Sequence, residues 1–524
     1  MLTEVKASDP LFPSSCAPMA SPEEGDVPTR DLPPFRDLHA FLALLDSRGL
    51  LRRIAKPVST VLDMTEIHRR VLHAGGPALL FEKPILADGT ASAVPVLVNL
   101  FGTVERVALG FGIEPTHLDR LGEELAALRD PTPPDGVKDA LSKLPLLKAA
   151  LSMRPKTIGS APCQEQVLTG EAIDLSRLPV QTCWPGEPAP LVTWPLVISR
   201  PPDTTSTAKY NVGVYRLQVA GKNRLIARWL AHRGGAHHHR AWAARGEKMP
   251  VAVVIGADPG TILAGVLPLP QDLSELHFSG LTRGERARLV PAKTVPLKVP
   301  ADAEIVIEGW VSPTETLPEG PYGDHTGYWN SVEDFPVLEV SAITMRREPI
   351  YLSTFTGRPP DEPSRIGEAF NRLFLPLLKK QFPEVTDFWL PPEACSYRVA
   401  VVAIRKSYPG QARRVMMGLW SMLPQFAYTK FVIVVDADID VRSWDDVLWA
   451  ISTRSDPSRD VMLVDRTPID YLDFASPKSG LGGKMGLDAT TKIGTETERE
   501  WGRVLEQSPE VSARVDEMWG RLGI

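Results

Sequence analysis

The chain has 524 residues, 43% hydrophobic and 23% charged, the balance of an ordinary globular protein with room for more than one domain core. A formal net charge of −6 and the lack of any Lys/Arg-rich run exclude a general affinity for nucleic acid, and none is expected as a partner. Cys16, Cys163, Cys183 and Cys395 are scattered without zinc spacing, which suits buried thiols in a reducing compartment.

Residues 1–34, rich in Pro, Ser, Glu and Asp, read as a disordered tail, and MLTEVKASDP is too polar for a signal peptide. No run of about 18 apolar residues occurs, so no membrane span is expected. Residues 35–160 read as an N-terminal α/β domain. It opens on a helix carrying Leu38, Phe41, Leu42, Leu45 and Leu50 and closed by Gly49, followed by strands in PALLFEKP and VPVLVNLFG. In residues 161–346, LVTWPLVISR, KYNVGVYRLQVA, RLIARWLAH, MPVAVVIGA, EIVIEGWV and FPVLEVSAITM are short strand-like runs between turns. They predict an antiparallel barrel or sandwich. Residues 347–485 return to alternation. IGEAFNRLFLPLLKKQF is helical with a kink expected at Pro376, and YRVAVVAIRK and KFVIVVDADI flank the helical GQARRVMMGLWSMLPQF, a βαβ pattern with a parallel sheet. Residues 486–524 form an amphipathic helical tail whose apolar stripe needs a surface, such as that of another subunit, and the expected state is a homo-oligomer, dimer-based and up to a hexamer.

The stretch PEGPYGDHTGYW, Pro318 to Trp329, holds Glu319 and Asp324 in a backbone rich in proline and glycine. Such a loop can aim two carboxyls into one cavity, and Gly320, Gly323 and Gly327 allow positive φ or close approach. Two close carboxyls do not both ionise cheaply, so one of them is expected to be pushed toward the protonated form, as a proton donor needs. A surface turn with solvated acids is the alternative. His325 reads as a neutral hydrogen-bond partner or a structural histidine. In the segment from Lys209 to Gly235 a hairpin turning at Gly221–Asn223 puts Arg224, Ile226, Arg228, Leu230 and His232 on one strand face, either an anion-binding inner face or a solvent face. Asn211 and Arg216 fall on opposite faces of an ideal strand unless a bulge at Gly213 intervenes. Asn211, His232 and Glu275 suit a divalent ion such as Mn²⁺ by chemistry alone, with no local ligand motif. His237, His238 and His239 read as an exposed, non-functional run. SGLGGKMGLDATTK, with Lys484, reads as a flexible loop or a weak anion cradle, and Asp361 and Glu362 of GRPPDEP receive no role. There is no GxSxG, no HExxH and no GxGxxG following a strand, which sets aside serine hydrolases, zincins and ordinary dinucleotide dehydrogenases.

Taken in order, NVGVYRLQV, IARWLAHRGG, DLSELHFSG, PEGPYGDHTGY, TGRPPDEP, TKFVIVVDAD and PIDYLDFASPKSGLGGKMGLDAT resemble the UbiD-type decarboxylases, and more narrowly those that act on 4-hydroxy-3-polyprenylbenzoate in ubiquinone biosynthesis. The resemblance runs from about Phe35 to near the C-terminus. It implies a split β-barrel of the flavin-reductase type between α/β domains, binding prenylated FMN made by a separate flavin prenyltransferase. It implies Mn²⁺, often with K⁺, bridging the cofactor phosphate to Asn211, His232 and Glu275. Val214, Tyr215, Arg216, Arg228, Trp229, Leu230, Arg233 and Gly234 match cofactor-contacting positions, with Lys484 reaching the phosphate. Arg216, Glu319 and Asp324 match the catalytic set, Arg216 holding a carboxylate and Asp324 donating the proton. A polyprenylated substrate implies a cytoplasmic enzyme docking peripherally on the inner face of the cell membrane. The helix Phe370–Phe382 is a candidate surface for that, although core packing is the stronger expectation for it. The alternatives are a decarboxylase of another aromatic or acrylic acid, a non-catalytic flavin-binding subunit of a quinone-biosynthesis complex, and a flavin-free metal hydrolase using His232 and Glu275.

Overall fold

A computed structural model describes residues 30–129, 150–231, 233–269, 273–422 and 424–523. Most of the expected N-terminal tail lies outside the described residues. Its last part does not hang free: the Asp31 and Leu32 amides both donate to the Gly112 carbonyl at 3.0 Å, and Arg30 pairs with Glu124 at 3.1 Å.

The N-terminal region begins with α1 (Leu38–Ser47), capped by the Asp37 carboxylate, which accepts from the Ala40 amide at 2.9 Å. Its apolar stripe of Leu38, Phe41, Leu42 and Leu45 is buried. Strands β1 (Leu51–Ile54), β2 (Ala78–Phe81) and β3 (Val96–Val98), with α2 (Asp63–His73) between β1 and β2, build a small sheet. The late strand Tyr351–Leu352 adds to β3 in parallel, tying this region to the chain beyond the barrel. A further helix, α3 (Leu118–Arg129), closes the region.

The middle of the chain forms a nine-stranded sheet. Its strands are β4 (Gln166–Thr169), β5 (Leu191–Val192), β6 (Leu196–Ser199), β7 (Asn211–Val214), β8 (Leu217–Val219), β9 (Arg224–Ala227), β10 (Met249–Ile255), β11 (Ile305–Glu319) and β12 (Glu333–Met345). They run β7-β6-β10-β11-β12-β9-β8-β5, with β4 on β12, and every pairing is antiparallel. β7 lies at one end of that path and β8 next to the other, yet only Tyr215 and Arg216 separate them in the chain. The three steps from Val214 to Leu217 span roughly 10 Å at most, so the sheet must curl until its ends meet. This is the expected split barrel. The crossing replaces the bulge expected at Gly213, and it puts Arg216 at the seam. Two helices stand at that end, α4 (Gly234–Ala243) and α5 (Glu275–Arg283).

The hairpin of β8 and β9 forms as predicted, with Leu217 opposite Ala227, but β9 stops at Ala227. The single basic face expected from Arg224 to His232 therefore does not exist. Arg224 turns outward to Glu315, whereas Arg228, past the strand's end, is buried. His237, His238 and His239 also differ from expectation. They ride on α4, and only His237 is exposed. His238 meets the Ser199 hydroxyl at 2.9 Å, with burial pushing its pKa down to about 4, and His239 donates to the Ser312 carbonyl at 2.9 Å.

Helix α6 (Glu362–Gln381) leads into the C-terminal region. Asp361, given no role from sequence, is its cap in a reciprocal box with Ser364, and Glu362 accepts from the Phe101 amide at 2.8 Å. The helix runs through Pro376 as one element. Its apolar face of Phe370, Leu373, Phe374 and Leu378 is buried, so that face is spent on packing and not on a membrane. The C-terminal sheet orders β13 (Val385–Trp389), β14 (Val399–Ile404), β15 (Phe431–Asp436), β17 (Leu481–Ala489) and β16 (Val461–Pro468), with α7 (Gln411–Met422) between β14 and β15. The β14–β15 and β15–β17 pairs are parallel, as the βαβ pattern predicts, while β13 and β16 add antiparallel edges.

The glycine-rich SGLGGKMGLDATTK is largely strand β17 and not a loop. Gly486 has no side chain because α7 lies against it: a Cβ there would sit 2.4 Å from Met416 Sδ. The tail assigned to residues 486–524 thus begins inside this strand. Its helix α8 (Pro509–Leu522) has no buried residue and exposes Trp519 and Leu522. Among the described residues no helix is long and apolar enough to cross a membrane.

Candidate active site

The long strand β11 ends at Glu319, directly opposite Glu333 at the start of β12, and the PEGPYGDHTGYW segment is the connection between them. The loop is fastened from inside: the Gly320 amide donates to Gln218 Oε1 at 2.9 Å, the Tyr322 amide to Asn330 Oδ1 at 2.8 Å, and the Asp324 amide to the Tyr328 carbonyl at 3.1 Å. Gly323 packs flat on Trp184, where a Cβ would fall 2.4 Å from the indole Cδ1. Trp184 is in turn fixed by donating Nε1–H to the Thr356 carbonyl at 2.9 Å.

Arg216, at the barrel seam, meets both acids. Its Nε donates to Glu319 Oε1 at 2.8 Å, its Nη2 to Glu319 Oε2 at 3.3 Å, and its Nη1 to Asp324 Oδ2 at 2.9 Å. The Tyr322 ring lies 5.4 Å from the guanidinium carbon. Arg228 completes the pairing of Glu319: Nη1 donates to Oε2 at 2.6 Å and Nη2 to the Tyr471 hydroxyl at 2.8 Å. Glu319 is fully buried, as a carboxylate can be when several charge-assisted donors replace its water.

The carboxyls do not compete for a proton in the way the sequence suggests. Burial pushes Asp324 up, but hydrogen bonds from His325 and the Arg216 charge outweigh it and hold Asp324 well below the usual carboxylate range. The expected rise is therefore corrected to a fall, because cations separate the two acids. His325 is corrected likewise. Burial works against its charge, yet Asp324 at 2.9 Å from Nδ1 and Asp470 at 3.5 Å from Nε2 push it up to about 10, so it is an imidazolium. Asp470 receives the Tyr397 hydroxyl at 2.9 Å and lies 3.3 Å from Arg398 Nη2, and it is held near 2 against its burial. Nearby Glu187, which sequence reasoning passed over, is pushed up to about 7 by burial, with the Cys183 amide and Arg216 opposing.

At the same end of the barrel a second cluster gathers around the N-termini of α4 and α5. Glu275 Oε2 accepts from the Val212 amide at 2.8 Å, next to Asn211. Asn211 Nδ2 donates to the Tyr215 hydroxyl at 3.3 Å, which also accepts from the Gly235 amide at 3.4 Å. Asn211 Oδ1 presses on Gly234 so closely that a Cβ there would lie 1.9 Å from it. Trp229 is buried beneath Gly235, Val214 and Leu230 are half-buried, and Arg233 is exposed at the cap of α4. His232 lies outside the described residues, and among the described residues no three His, Cys, Asp or Glu side chains form a metal cluster.

Three consecutive family models match the chain: the N-terminal, Rift-related and C-terminal domains of 3-octaprenyl-4-hydroxybenzoate carboxy-lyase, over residues 42–125, 156–359 and 364–489. This chain belongs to the UbiD family. Solved structures similar to this UbiD-family chain include the UbiD-class enzyme HmfF from Pelotomaculum thermopropionicum in complex with FMN, 29% identical over 91% of this chain and 98% of that one, TM-score 0.76. Vanillic acid decarboxylase from Sedimentibacter hydroxybenzoicus, in closed form, is 25% identical over 93% and 99%, TM-score 0.78. Apo 3,4-dihydroxybenzoic acid decarboxylase from Klebsiella pneumoniae, 22% identical over 92% and 99% with TM-score 0.73, shares the fold.

The residues present fit a metal-bridged phosphate. Glu275 is pushed up to about 7 by burial with no cationic side chain among its partners, the setting in which a bound cation restores the carboxylate. Adjacent backbone amides of the UbiD-family α4 terminus and its two glycines suit an anion. Lys484 does not fit the role expected of it. Its ammonium donates to the carbonyls of Ala427, Thr429 and Pro468, at 2.5, 3.0 and 3.2 Å, which uses all three protons inside the C-terminal region. Asp470 and Tyr471 went without a role from sequence. They carry no motif of their own, and only the packing of the C-terminal region against the barrel brings them to His325 and Arg228.

Proposed function

We propose that this UbiD-family chain removes CO₂ from 4-hydroxy-3-polyprenylbenzoate to give 2-polyprenylphenol in ubiquinone biosynthesis, using prenylated FMN from a flavin prenyltransferase, with Mn²⁺ and K⁺ at its phosphate. The observation that carries the decarboxylase reading is the single guanidinium of Arg216 bridging Glu319 and Asp324 at 2.8 and 2.9 Å. The family description names a polyprenylated hydroxybenzoate, which supports the narrower substrate.

When bound, prenylated FMN supplies the electron sink that an aryl carboxylate lacks. The chain supplies position and charge. Asn211, Glu275 and His232 would hold the metal, and the α4 amides the phosphate. Arg216, fixed through Nε and Nη2 by Glu319, keeps Nη1 toward Asp324, the donor that a substrate carboxylate would share. Arg228 locks Glu319 from the other side, so the pair is pre-organised before substrate arrives. Trp184 and Tyr322 wall the site and limit water near the charges.

A prenyl-bearing substrate places the enzyme in the cytoplasm, peripheral to the membrane's inner face, and exposed Trp519 and Leu522 of α8 suit assembly as a homo-oligomer. A second reading, decarboxylation of a small hydroxylated aromatic acid, is favoured by the likeness to vanillic acid decarboxylase. Co-expression with a flavin prenyltransferase, mass spectrometry of the bound ligand and CO₂ release from prenylated and unprenylated 4-hydroxybenzoate decide between them. Prenylated FMN with turnover of the prenylated acid supports the first reading, turnover of the unprenylated acid alone supports the second, and activity without flavin sinks both.

A further inference from the structure

Decarboxylation replaces a carbon–carbon bond with a carbon–hydrogen bond. The bond to the carboxylate breaks, CO₂ leaves, and the electron pair left on carbon takes one proton, so each turnover consumes a proton that the site must hold ready. Asp324, one of the two acids paired with Arg216, does not hold one at rest. It accepts on every side: from Arg216 Nη1 on Oδ2, and from the His325 amide at 2.8 Å and His325 Nδ1 at 2.9 Å on Oδ1. Glu319 likewise faces guanidinium donors on both oxygens. Arg216 does not give up its protons, so the side chain touching Asp324 that can release one is the His325 imidazole.

We infer that His325, clamped by Asp470 of the C-terminal region, is the proton store of this site and feeds the consumed proton to Asp324. The inference rests on the decarboxylase reading above. The proton on His325 Nδ1 passes to Asp324 Oδ1, leaving a neutral imidazole that keeps Nε2–H toward Asp470, 3.5 Å away. The Asp324 carboxyl then turns and gives the proton to carbon, while Arg216 stays anchored by Glu319 through Nε and Nη2. Nε2 is buried against Asp470, so the proton must return at Nδ1, and the 19% exposure of the side chain is the route by which solvent supplies it.

The placement is specific. His325 is on the β11–β12 connection, Asp470 follows β16, and nothing local in the sequence pairs them. Asp470 is itself oriented by the Tyr397 hydroxyl at 2.9 Å and the Leu472 amide at 3.0 Å, with Arg398 at 3.3 Å. The charged and titratable groups facing His325 are Asp324 and Arg216 from the barrel, Asp361 from the cap of α6, and Asp470, Arg398 and Tyr397 from the C-terminal region. Two carboxylates in contact and a third nearby outweigh the cations and burial. His325 does not touch the reacting carbon, so it is a positioning residue that acts through Asp324.

The test uses full-length enzyme loaded with prenylated FMN. The profile of kcat against pH is measured for wild type, Asp470→Asn and His325→Gln, and ¹⁵N NMR of the imidazoles follows His325, assigned by its loss in His325→Gln. Removing one of the two contacting carboxylates should lower the His325 pKa by about one unit or more and move the alkaline limb of kcat down with it. His325→Gln should lower kcat by at least about a hundredfold with KM within about twofold, the scale of a lost proton-transfer group. A merely structural role would lower activity at all pH values without moving the limb. An alkaline limb that stays put in Asp470→Asn while the NMR pKa falls overturns the inference, as does His325→Gln turning over within twofold of wild type. If His325→Gln does not fold, Asp470→Asn decides alone, since Asn keeps the geometry of the turn. A loaded wild type that releases no CO₂ from any aromatic acid tested sinks the decarboxylase reading itself, an outcome distinct from an active wild type with an unmoved limb.

Discussion

Gly234→Ala tests the metal and phosphate cradle most directly. At this position the added Cβ would lie 1.9 Å from Asn211 Oδ1 and 2.6 Å from its Cγ. An ordinary carbon–oxygen contact is about 3.3 Å, so one partner must retreat by roughly 1.4 Å. The α4 backbone is not free to do so, because Gly235 already sits on the Trp229 indole, where its own Cβ would be 2.7 Å from Nε1. Asn211 must therefore turn, giving up its contact with the Tyr215 hydroxyl. Overpacking of this kind costs about 1–3 kcal/mol of stability. A displaced ligand should weaken Mn²⁺ binding in the presence of FMN by at least about tenfold. Electron paramagnetic resonance of free Mn²⁺ during titration reads the affinity, and thermal unfolding reads the stability. Gly502→Ala, with no atom within 4 Å of the added Cβ, is the control and should change neither. Gly234→Ala protein that binds Mn²⁺ with FMN as tightly as wild type would remove Asn211 from the metal site.

Glu319→Gln leaves Arg228 buried with one neutral oxygen where a carboxylate accepted three guanidinium contacts, so unfolding free energy should fall by about 3 kcal/mol. Denaturant midpoints measure it, and a loss below about 1 kcal/mol would mean that the pair is not the buried charge cluster described. Stability should also depend on His325. Its folded pKa of about 10 lies above its ordinary 6.5, so the stabilisation is complete below pH 6.5 and is lost as pH rises toward 10. Wild-type melting temperature should drop more steeply across that window than that of His325→Gln, and parallel curves would contradict the raised pKa. Lys484→Met strips three carbonyls of their shared donor, that of Thr429 buried and those of Ala427 and Pro468 partly so, a cost of about 1–3 kcal/mol, and should leave FMN affinity within twofold. A tenfold loss of FMN affinity by isothermal titration would return Lys484 to the phosphate.

The chain's own pattern determines much of this protein. Short β-branched apolar runs such as Leu196–Ser199 and Met249–Ile255, bounded by turn residues, read as strands, and the stripe of Leu38, Phe41, Leu42 and Leu45 reads as one face of a helix. The proline and glycine around Glu319 and Asp324 mark a constrained loop before any coordinates are known. Periodicity, however, reports only the face of an element while that element lasts. It misassigned Arg224 and Arg228 to one face because β9 ends at Ala227, and it mistook β17 for a loop because the glycines that make room for Met416 look like flexibility. Charge state lies further out of reach. Whether Asp324 is acid or carboxylate, and whether His325 is neutral or cationic, depends on Arg216 and Asp470 arriving from distant parts of the chain. A pKa is set by the few ångströms around a group, and only the tertiary structure says who occupies them.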